Sequence, residues 1–281
     1  MLSVRSLEPS IIAFNSAISA CEKSQQWEMS LWLLSDAASR QLAPSVVTFG
    51  AVLSACEKGE QWERALDIFS NMRQYDVIPN VITFNALISA FEKGQQWELA
   101  LAALSALRSC GLSPDEVTIS AALSACEKGG QWERSLALLC GMEKEGLRAD
   151  VVTFNAAISA CNAGRRWELA LELFDQLRES TGLLPDVVTY NALLSACERG
   201  RQWQHALSLL QLMSAEGIAP DVFSFSAAMA ACELGTRWDI ALSLLAELRQ
   251  RHIALDPGGL QHGRQRLRQR QTMAPCVAAA C

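Results

Sequence analysis

The strongest constraint on the fold is a phrase of 35 residues that recurs along nearly the whole chain. The copy at 46–80 reads VVTFGAVLSACEKGEQWERALDIFSNMRQYDVIPN. Seven such units follow one another, at 11–45, 46–80, 81–115, 116–150, 151–186, 187–221 and 222–256, and the fifth has one extra residue. Tandem repeats of this length are typical of solenoids, whose units pack against their sequence neighbours.

Each unit carries two stripes of apolar residues at helical spacing. In the second unit the first stripe is Phe49, Val52, Leu53 and Cys56, and another begins at Trp62. Spacings of three and four place such residues on one face of a helix. Two amphipathic helices cannot bury both faces alone, so stacked copies must complete the core. We therefore expect an all-α, superhelical solenoid of helix–turn–helix repeats.

Glycine and proline recur where the helices of each unit should end. The glycines are Gly59, Gly94, Gly129, Gly164, Gly200 and Gly235, and the prolines are Pro44, Pro79, Pro114, Pro185 and Pro220. We expect the glycines to adopt a left-handed conformation at the end of the first helix. The prolines should prevent the second helix from running on.

One column of the repeat is occupied by cysteine in six of the seven units: Cys21, Cys56, Cys126, Cys161, Cys197 and Cys232. Phe91 fills this column in the third unit, and a ring cannot replace a thiolate ligand. The column is therefore predicted to be a packing position. With no C-x-x-C pair and three scattered histidines, we expect no metal site and no cofactor.

A tryptophan opens the second helix of every unit: Trp27, Trp62, Trp97, Trp132, Trp167, Trp203 and Trp238. These rings could be platforms for nucleic-acid bases or wedges between repeats. Their position on the apolar stripe of the second helix favours the wedge.

The composition is that of an ordinary globular protein, with 50% hydrophobic residues and a formal net charge of −6. No apolar run approaches the roughly 18 residues of a membrane helix, so we expect no membrane partner. The acidic balance argues against a broad polyanion binder.

Outside the repeats, residues 1–10 look like the end of a preceding, truncated repeat. Residues 257–281, with an arginine run from Arg264 to Arg270, are expected to form a basic, disordered tail.

The phrase VVTYNALLSACERGRQWQHALSLLQLMSAEGIAPD at 187–221 resembles a pentatricopeptide repeat. The likeness lies in the Val-Val-Thr-Tyr-Asn opening, the basic residue and glycine at the turn, the Ala-Leu of the second helix and the Gly-Ile-x-Pro-Asp close, and it covers residues 11–256. The resemblance implies a right-handed superhelix that binds single-stranded RNA in mitochondria or chloroplasts, one base per repeat. It implies other RNA-processing proteins as partners and no small-molecule substrate. The tail is too short for the catalytic domain of some family members, so we do not expect an enzyme.

By this resemblance, the fifth and the last residue of each unit read one base together. The pairs are Asn15/Ser45, Gly50/Asn80, Asn85/Asp115, Ser120/Asp150, Asn155/Asp186, Asn191/Asp221 and Ser226/Asp256. In the family, Asn with Asp favours U, Ser with Asp favours G, and Asn with Ser leans to C. The expected target is 5′-CNUGUUG-3′, in which the Gly50 repeat is left open. Alternatively, the last residue caps the next helix and the asparagine serves a local turn, and both roles can coexist.

Two further columns have roles implied by the resemblance. The second residue wedges beside the base plane: Ile12, Val47, Ile82, Val117, Val152, Val188 and Phe223. A core position would also be apolar, so the sequence does not separate these alternatives. The thirteenth residue meets phosphate where it is cationic, at Lys23, Lys58, Lys93, Lys128 and Arg199. Interaction with the helix dipole is the alternative.

The twelfth column argues the other way. It holds Glu22, Glu57, Glu92, Glu127, Glu198 and Glu233, with Asn162 in the fifth unit. Carboxylates along a phosphate path repel RNA, unless they pair with the neighbouring lysines. They favour the alternative function of a solenoid scaffold for protein–protein interaction.

Overall fold

The computed structural model describes residues 10–180 and 182–250. This part of the chain forms fourteen α-helices and no strand, which confirms the predicted all-α class. The helices are α1 Ile11–Lys23, α2 Trp27–Ser39, α3 Val46–Lys58, α4 Trp62–Asn71, α5 Val81–Lys93, α6 Trp97–Ser109, α7 Glu116–Lys128, α8 Trp132–Lys144, α9 Val151–Ala163, α10 Trp167–Ser180, α11 Val187–Arg199, α12 Trp203–Ala215, α13 Val222–Leu234 and α14 Trp238–Gln250. A short 3-10 helix, Met72–Tyr75, follows α4.

The described residues divide into two compact bodies, an N-terminal body that ends at Ala160 and a C-terminal body that begins at Cys161. In the N-terminal body, α1 packs on α3, α3 on α5 and α5 on α7, and each of these helices also packs on the helix that follows it. In the C-terminal body, α11 packs on α13, and α12 lies against both. Helical-repeat packing therefore recurs within each body. No helix in 10–180 or 182–250 is long and apolar enough to cross a membrane.

The buried core consists of the stripes that the spacing predicts. Phe49, Val52, Leu53 and Cys56 of α3 are completely buried. In the cysteine column, Cys21 is half-buried, the other five are buried, and Phe91 is 1% exposed. Burial raises the pKa of the Cys56 thiol to about 11, so this thiol is protonated at neutral pH. The column is a packing position, as predicted, and the described residues contain no cluster of His, Cys, Asp and Glu suited to a metal ion.

The recurring glycines do not adopt the predicted left-handed conformation. Gly94 has a φ of −75°, and the left-handed residue is the next one, Gln95, with a φ of 58°. Glycine is required at this column because the tryptophan of the preceding repeat lies against it. A Cβ on Gly94 would come closer than 3.0 Å to the ring of Trp62. The same relationship joins Gly59 to Trp27, Gly129 to Trp97, Gly200 to Trp167 and Gly235 to Trp203.

The tryptophans therefore act as wedges between repeats, as their position on the stripe favours. Trp62 also meets the ring of Phe91 in the next repeat, with centroids 6.4 Å apart. The guanidinium of Arg134 lies over the Trp97 ring at 4.5 Å, and that of Arg237 over the Trp203 ring at 4.6 Å. The indoles of Trp27, Trp62, Trp97, Trp167 and Trp203 thus pack against the repeat that follows, whereas Trp238 is 67% exposed.

Candidate nucleic-acid interface

The last residue of a predicted reading pair caps the first helix of the next repeat. Ser45, Asn80, Asp115, Asp186 and Asp221 are the N-caps of α3, α5, α7, α11 and α13. Each side chain accepts the backbone N–H three residues on, and the hydroxyl of that residue accepts the cap N–H. Asp150 accepts the N–H of Thr153 in the same way, at 2.8 Å. The capping role is therefore present whatever else these residues do.

In two repeats the structure shows direct contact between the fifth and the last residue. The Nδ2 of Asn85 donates to both carboxylate oxygens of Asp115, at 3.0 and 3.1 Å. The Nδ2 of Asn191 donates to Oδ2 of Asp221 at 3.1 Å. In these two repeats, the two residues that the resemblance pairs therefore lie in hydrogen-bonding contact with each other.

These contacts keep the two aspartates ionised. Burial alone would raise the pKa of Asp115, but hydrogen bonds from Thr118 and Asn85 outweigh it and hold the pKa below its ordinary value of 3.8. Ser224 and Asn191 lower the pKa of Asp221 in the same way. At neutral pH each pair therefore offers a carboxylate acceptor beside an amide donor.

The other reading positions have different surroundings. Asn15 accepts a hydrogen bond from the hydroxyl of Thr48 in the next repeat, and Gly50 is buried within α3. Ser120 is half-buried, Ser226 is exposed, and Asn155 is only 8% exposed. Asp256, the predicted partner of Ser226, lies outside the described residues, as does the tail 257–281.

The predicted wedge residues do not belong to the core. Their side chains are between 53% and 72% exposed: Ile12, Val47, Ile82, Val117, Val152, Val188 and Phe223. The aromatic residues two positions further along are buried, for example Phe49, Phe84 and Phe225. An exposed apolar residue is thus the second residue of every first helix. This geometry excludes the core interpretation of the column.

A groove of about 410 Å³ in the N-terminal body shows how the second, fifth and last columns of the repeat meet. The exposed Val117 and Val152 line it, together with Ser120, Asp150 and Ser124. The groove therefore combines two apolar side chains from successive repeats with the predicted reading pair of one of them. Its lining also includes Glu92 and Glu116.

The predicted phosphate-binding lysines form ion pairs with the twelfth column of the preceding repeat. Lys58 Nζ lies 2.9 Å from Glu22 Oε1, Lys93 Nζ lies 3.1 Å from Glu57 Oε1, and Lys128 Nζ lies 2.9 Å from Glu92 Oε1. We call these three pairs the charge ladder. Arg199 instead donates to the backbone oxygen of Asn162, and Lys23 is exposed.

Sequence reasoning missed one set of polar groups in this region. The hydroxyl of the third residue of a unit reaches back to the fifth residue of the unit before it: Thr48 to Asn15, Thr118 to Asn85 and Ser224 to Asn191. A Thr or Ser recurs at this column in the sequence. A hydroxyl at a helix start is typical of a cap, so nothing in the pattern indicates the second contact.

Models of the pentatricopeptide repeat match most of the chain. The model described as pentatricopeptide repeat domain matches residues 32–94 and 137–199, the PPR repeat family model matches 79–128 and 185–233, and the PPR repeat model matches 117–147. A search among curated proteins finds no sequence that matches this chain.

Several solved structures share the fold. The pentatricopeptide repeat protein PPR10 from maize is 25% identical, with a TM-score of 0.60 over 88% of this chain and 40% of the maize chain. The same protein in complex with an 18-nt psaJ RNA element matches at 19% identity and a TM-score of 0.58, over 90% of this chain and 42% of that one. This chain thus spans about two fifths of the length of the maize protein.

The pentatricopeptide repeat domain of Arabidopsis thaliana protein-only RNase P 1, in complex with tRNA, matches at 17% identity with a TM-score of 0.53. That match covers 58% of this chain and 86% of the Arabidopsis domain. The family models together span residues 32–233, and the helix pairs recur with the same period. The chain belongs to the pentatricopeptide repeat family.

Proposed function

We propose that the protein binds single-stranded RNA sequence-selectively, with one base per repeat. The observation that carries this proposal is the exposed row of apolar second residues beside the hydrogen-bonded Asn–Asp pairs. A row of solvated Val and Ile side chains has no role in the core. Its regular spacing suits flat apolar ligands inserted between successive repeats.

The chemistry of the reading pairs supports a preference for uracil at Asn85/Asp115 and Asn191/Asp221. The Asn amide N–H is a donor and the ionised Asp is an acceptor. Uracil offers the complementary pattern on its Watson–Crick edge, an N3–H donor between two carbonyl acceptors. At Ser120/Asp150, the carboxylate suits the N1–H and N2–H donors of guanine. With Asn155/Asp186 for U, Ser226/Asp256 for G and Asn15/Ser45 for C, the proposed target is 5′-CNUGUUG-3′.

The charge ladder supports a modest contribution from the RNA backbone. Lys58, Lys93 and Lys128 each lie within salt-bridge distance of a glutamate, so a phosphate must compete for them. The protein would then depend on base contacts more than on general attraction to polyanions. The ladder also accounts for three of the glutamates that, in the sequence, favoured a protein-binding scaffold.

The proposed biological role rests on the family. We propose that the protein occupies an RNA in a mitochondrion or chloroplast and so affects its processing, stability or translation, together with other RNA-processing proteins and without catalysis of its own. Relatives of the same fold that were solved with an 18-nt RNA and with tRNA support the choice of RNA as the partner.

A recoding experiment tests base reading directly. Fluorescence anisotropy at fixed salt would compare the chain with Asn85→Ser against RNAs that carry each of the four bases at the third position of CNUGUUG. We expect the preferred base to change from U to G, because Ser replaces Asn beside an unchanged Asp115. The exposed Glu63→Gln on α4 serves as the control.

The same titration includes a scrambled RNA and the DNA equivalent. Equal affinity of the original chain for all these ligands would refute base reading and leave charge attraction alone. Absence of binding to any of them would favour the protein scaffold.

A further inference from the structure

We propose that the hydroxyl at the third position of a repeat is a positioning residue for the base-reading asparagine of the preceding repeat. Thr48, Thr118 and Ser224 would hold the Asn15, Asn85 and Asn191 amides in one orientation, so that each presents an N–H to its base. This inference rests on the proposed function and adds a third residue to each reading pair, contributed by the following repeat.

Three separate repeats show the contact. Thr118 Oγ1 lies 2.5 Å from Oδ1 of Asn85, Ser224 Oγ lies 2.6 Å from Oδ1 of Asn191, and Thr48 Oγ1 lies 2.7 Å from Oδ1 of Asn15. All three hydroxyl-bearing residues are completely buried. The hydroxyl side of each hydrogen bond is therefore shielded from water, which strengthens its hold on the half-buried asparagine.

The surroundings favour one orientation of the Asn85 amide. Its Nδ2 side faces the Asp115 carboxylate, which can only accept hydrogen bonds. Its Oδ1 side faces Thr118 Oγ1, which accepts the backbone N–H of Asp115 at 3.2 Å and so has its own hydrogen to donate. The same hydroxyl also donates to Asp115 Oδ1 at 2.7 Å, so its one hydrogen is shared between the carboxylate and the amide oxygen. A flipped amide would set its oxygen against the carboxylate, so both neighbours select the same orientation.

This orientation determines what a base meets. One N–H of Nδ2 is directed to Asp115 and the other is left for a ligand, while Oδ1 is occupied by the hydroxyl. The pair therefore presents a donor, the Asn85 N–H, beside an acceptor, the Asp115 carboxylate. The amide cannot flip to present its oxygen instead. Without the hydroxyl, the amide would be free to offer its oxygen to a base that carries a donor.

Two other repeats show that the contact depends on the fifth residue. Gly50 has no side-chain amide, and the hydroxyl of Thr83 donates instead to the backbone oxygen of Asn80 at 2.8 Å. Ser120 has a shorter side chain, and the hydroxyl of Thr153 donates to Asp150 Oδ1 at 2.6 Å. In both places the hydroxyl serves the cap alone. Thr83 is therefore a matched control for Thr118, with equal burial and the same capping box.

The test measures base discrimination with the full chain. RNAs carrying each base at the third position of CNUGUUG are titrated against the original chain, Thr118→Val, Thr118→Ser and Thr83→Val. We expect Thr118→Val to reduce discrimination at the third position about 3- to 10-fold, as for the loss of one hydrogen bond. Discrimination at the sixth position should not change. Thr118→Ser should restore discrimination, and Thr83→Val should leave it intact.

The outcomes separate this inference from the proposed function. If the original chain shows no base preference, base reading itself fails and the inference fails with it. If it discriminates and Thr118→Val discriminates equally well, or Thr83→Val loses as much, the hydroxyl serves only the cap and the inference is overturned. Should Thr118→Val fail to fold, Ser224→Ala provides an independent answer in the C-terminal body. It is tested with RNAs that vary the sixth base of CNUGUUG, and Ser224→Thr serves as its rescue.

Discussion

The indole of Trp62 lies against the backbone of Gly94 in the following repeat, in space that a Cβ would fill. We expect Gly94→Ala to destabilise the protein by about 1–3 kcal/mol, because the added carbon overpacks a rigid ring. Gly141→Ala is the matched control. A Cβ there meets nothing within 4 Å, and alanine in the middle of α8 should stabilise by up to about 1 kcal/mol. Urea unfolding measures both free energies, and a neutral Gly94→Ala would show that the ring can move aside.

The exposed wedge row can be tested separately from folding. We expect Val117→Ser combined with Val152→Ser to lower RNA affinity at least about tenfold, because apolar contact with a base is lost. Both side chains are exposed, so the free energy of unfolding should change by no more than about 0.5 kcal/mol per site. Ile119→Ala, at a buried position of the same helix, should give the opposite pattern. It should lower the free energy of unfolding without removing an apolar contact with a base. Unchanged RNA affinity in the double serine variant would contradict the wedge role.

The charge ladder makes a prediction about salt. Replacing Glu22, Glu57 and Glu92 with Gln releases Lys58, Lys93 and Lys128 for phosphate. We expect higher affinity for the target and the scrambled RNA, and a slope of log K against log salt that steepens by up to about 2.

The control for the ladder is the triple change Glu63→Gln, Glu98→Gln and Glu133→Gln at exposed positions of the second helices. It alters net charge equally without touching the ladder. Equal slopes for the two triple variants would show that the lysines do not meet the RNA backbone.

The second repeat offers a gain of function. Around Gly50, an added Cβ would lie 4.0 Å from Thr83 Cγ2, an ordinary contact. We expect Gly50→Asn to fold and to raise RNA affinity, since an amide is supplied where the repeat now has none. The titration uses RNAs with each base at the second position of the target. Selectivity there should appear only in the variant, and its continued absence would count against the proposed register.

The Asp115 cap predicts a pH dependence of stability. Because its pKa is lowered in the folded protein, its contribution is complete above the ordinary value of 3.8 and is lost as pH falls through the lowered pKa. Asp115→Asn should therefore be less stable than the original chain at pH 7. The difference should shrink as the pH is reduced below about 4. Asp175→Asn, at an exposed position of α10, should show no such convergence in urea titrations at pH 7, 5 and 3.

Much of the architecture could be predicted from the repeat itself. The spacing of Phe49, Val52, Leu53 and Cys56 identifies a buried stripe, and Phe91 in the cysteine column excludes a metal ligand. These inferences succeed because burial leaves a periodic trace in residue type. The glycine conformation was predicted wrongly for a complementary reason. A turn glycine and a glycine beside a ring look the same in one sequence, and only the position of Trp62 in the neighbouring repeat separates them.

The candidate interface was less accessible to such reasoning. Apolar residues at Val117 and Val152 fit both a core and a wedge, and their exposure, which excludes the core, becomes known only once the helices are placed. The charge ladder joins Lys58 to Glu22, which are 36 residues apart, and Thr118 reaches Asn85 across 33 residues. Contacts between repeats leave no local pattern, because each partner also has an ordinary local explanation.

Under the proposed function, the dual use of Asp115 limits how this protein could acquire new RNA targets. Because the residue both caps α7 and faces Asn85, its replacement must still accept the N–H of Thr118. The chain itself uses only Ser, Asn and Asp at this position of its described repeats, the residues that cap helices best. The fifth position carries no such duty and ranges from Asn to Ser to Gly. New specificities would therefore arise more readily by change at the fifth position, while the last position is restricted to the few residue types that cap a helix.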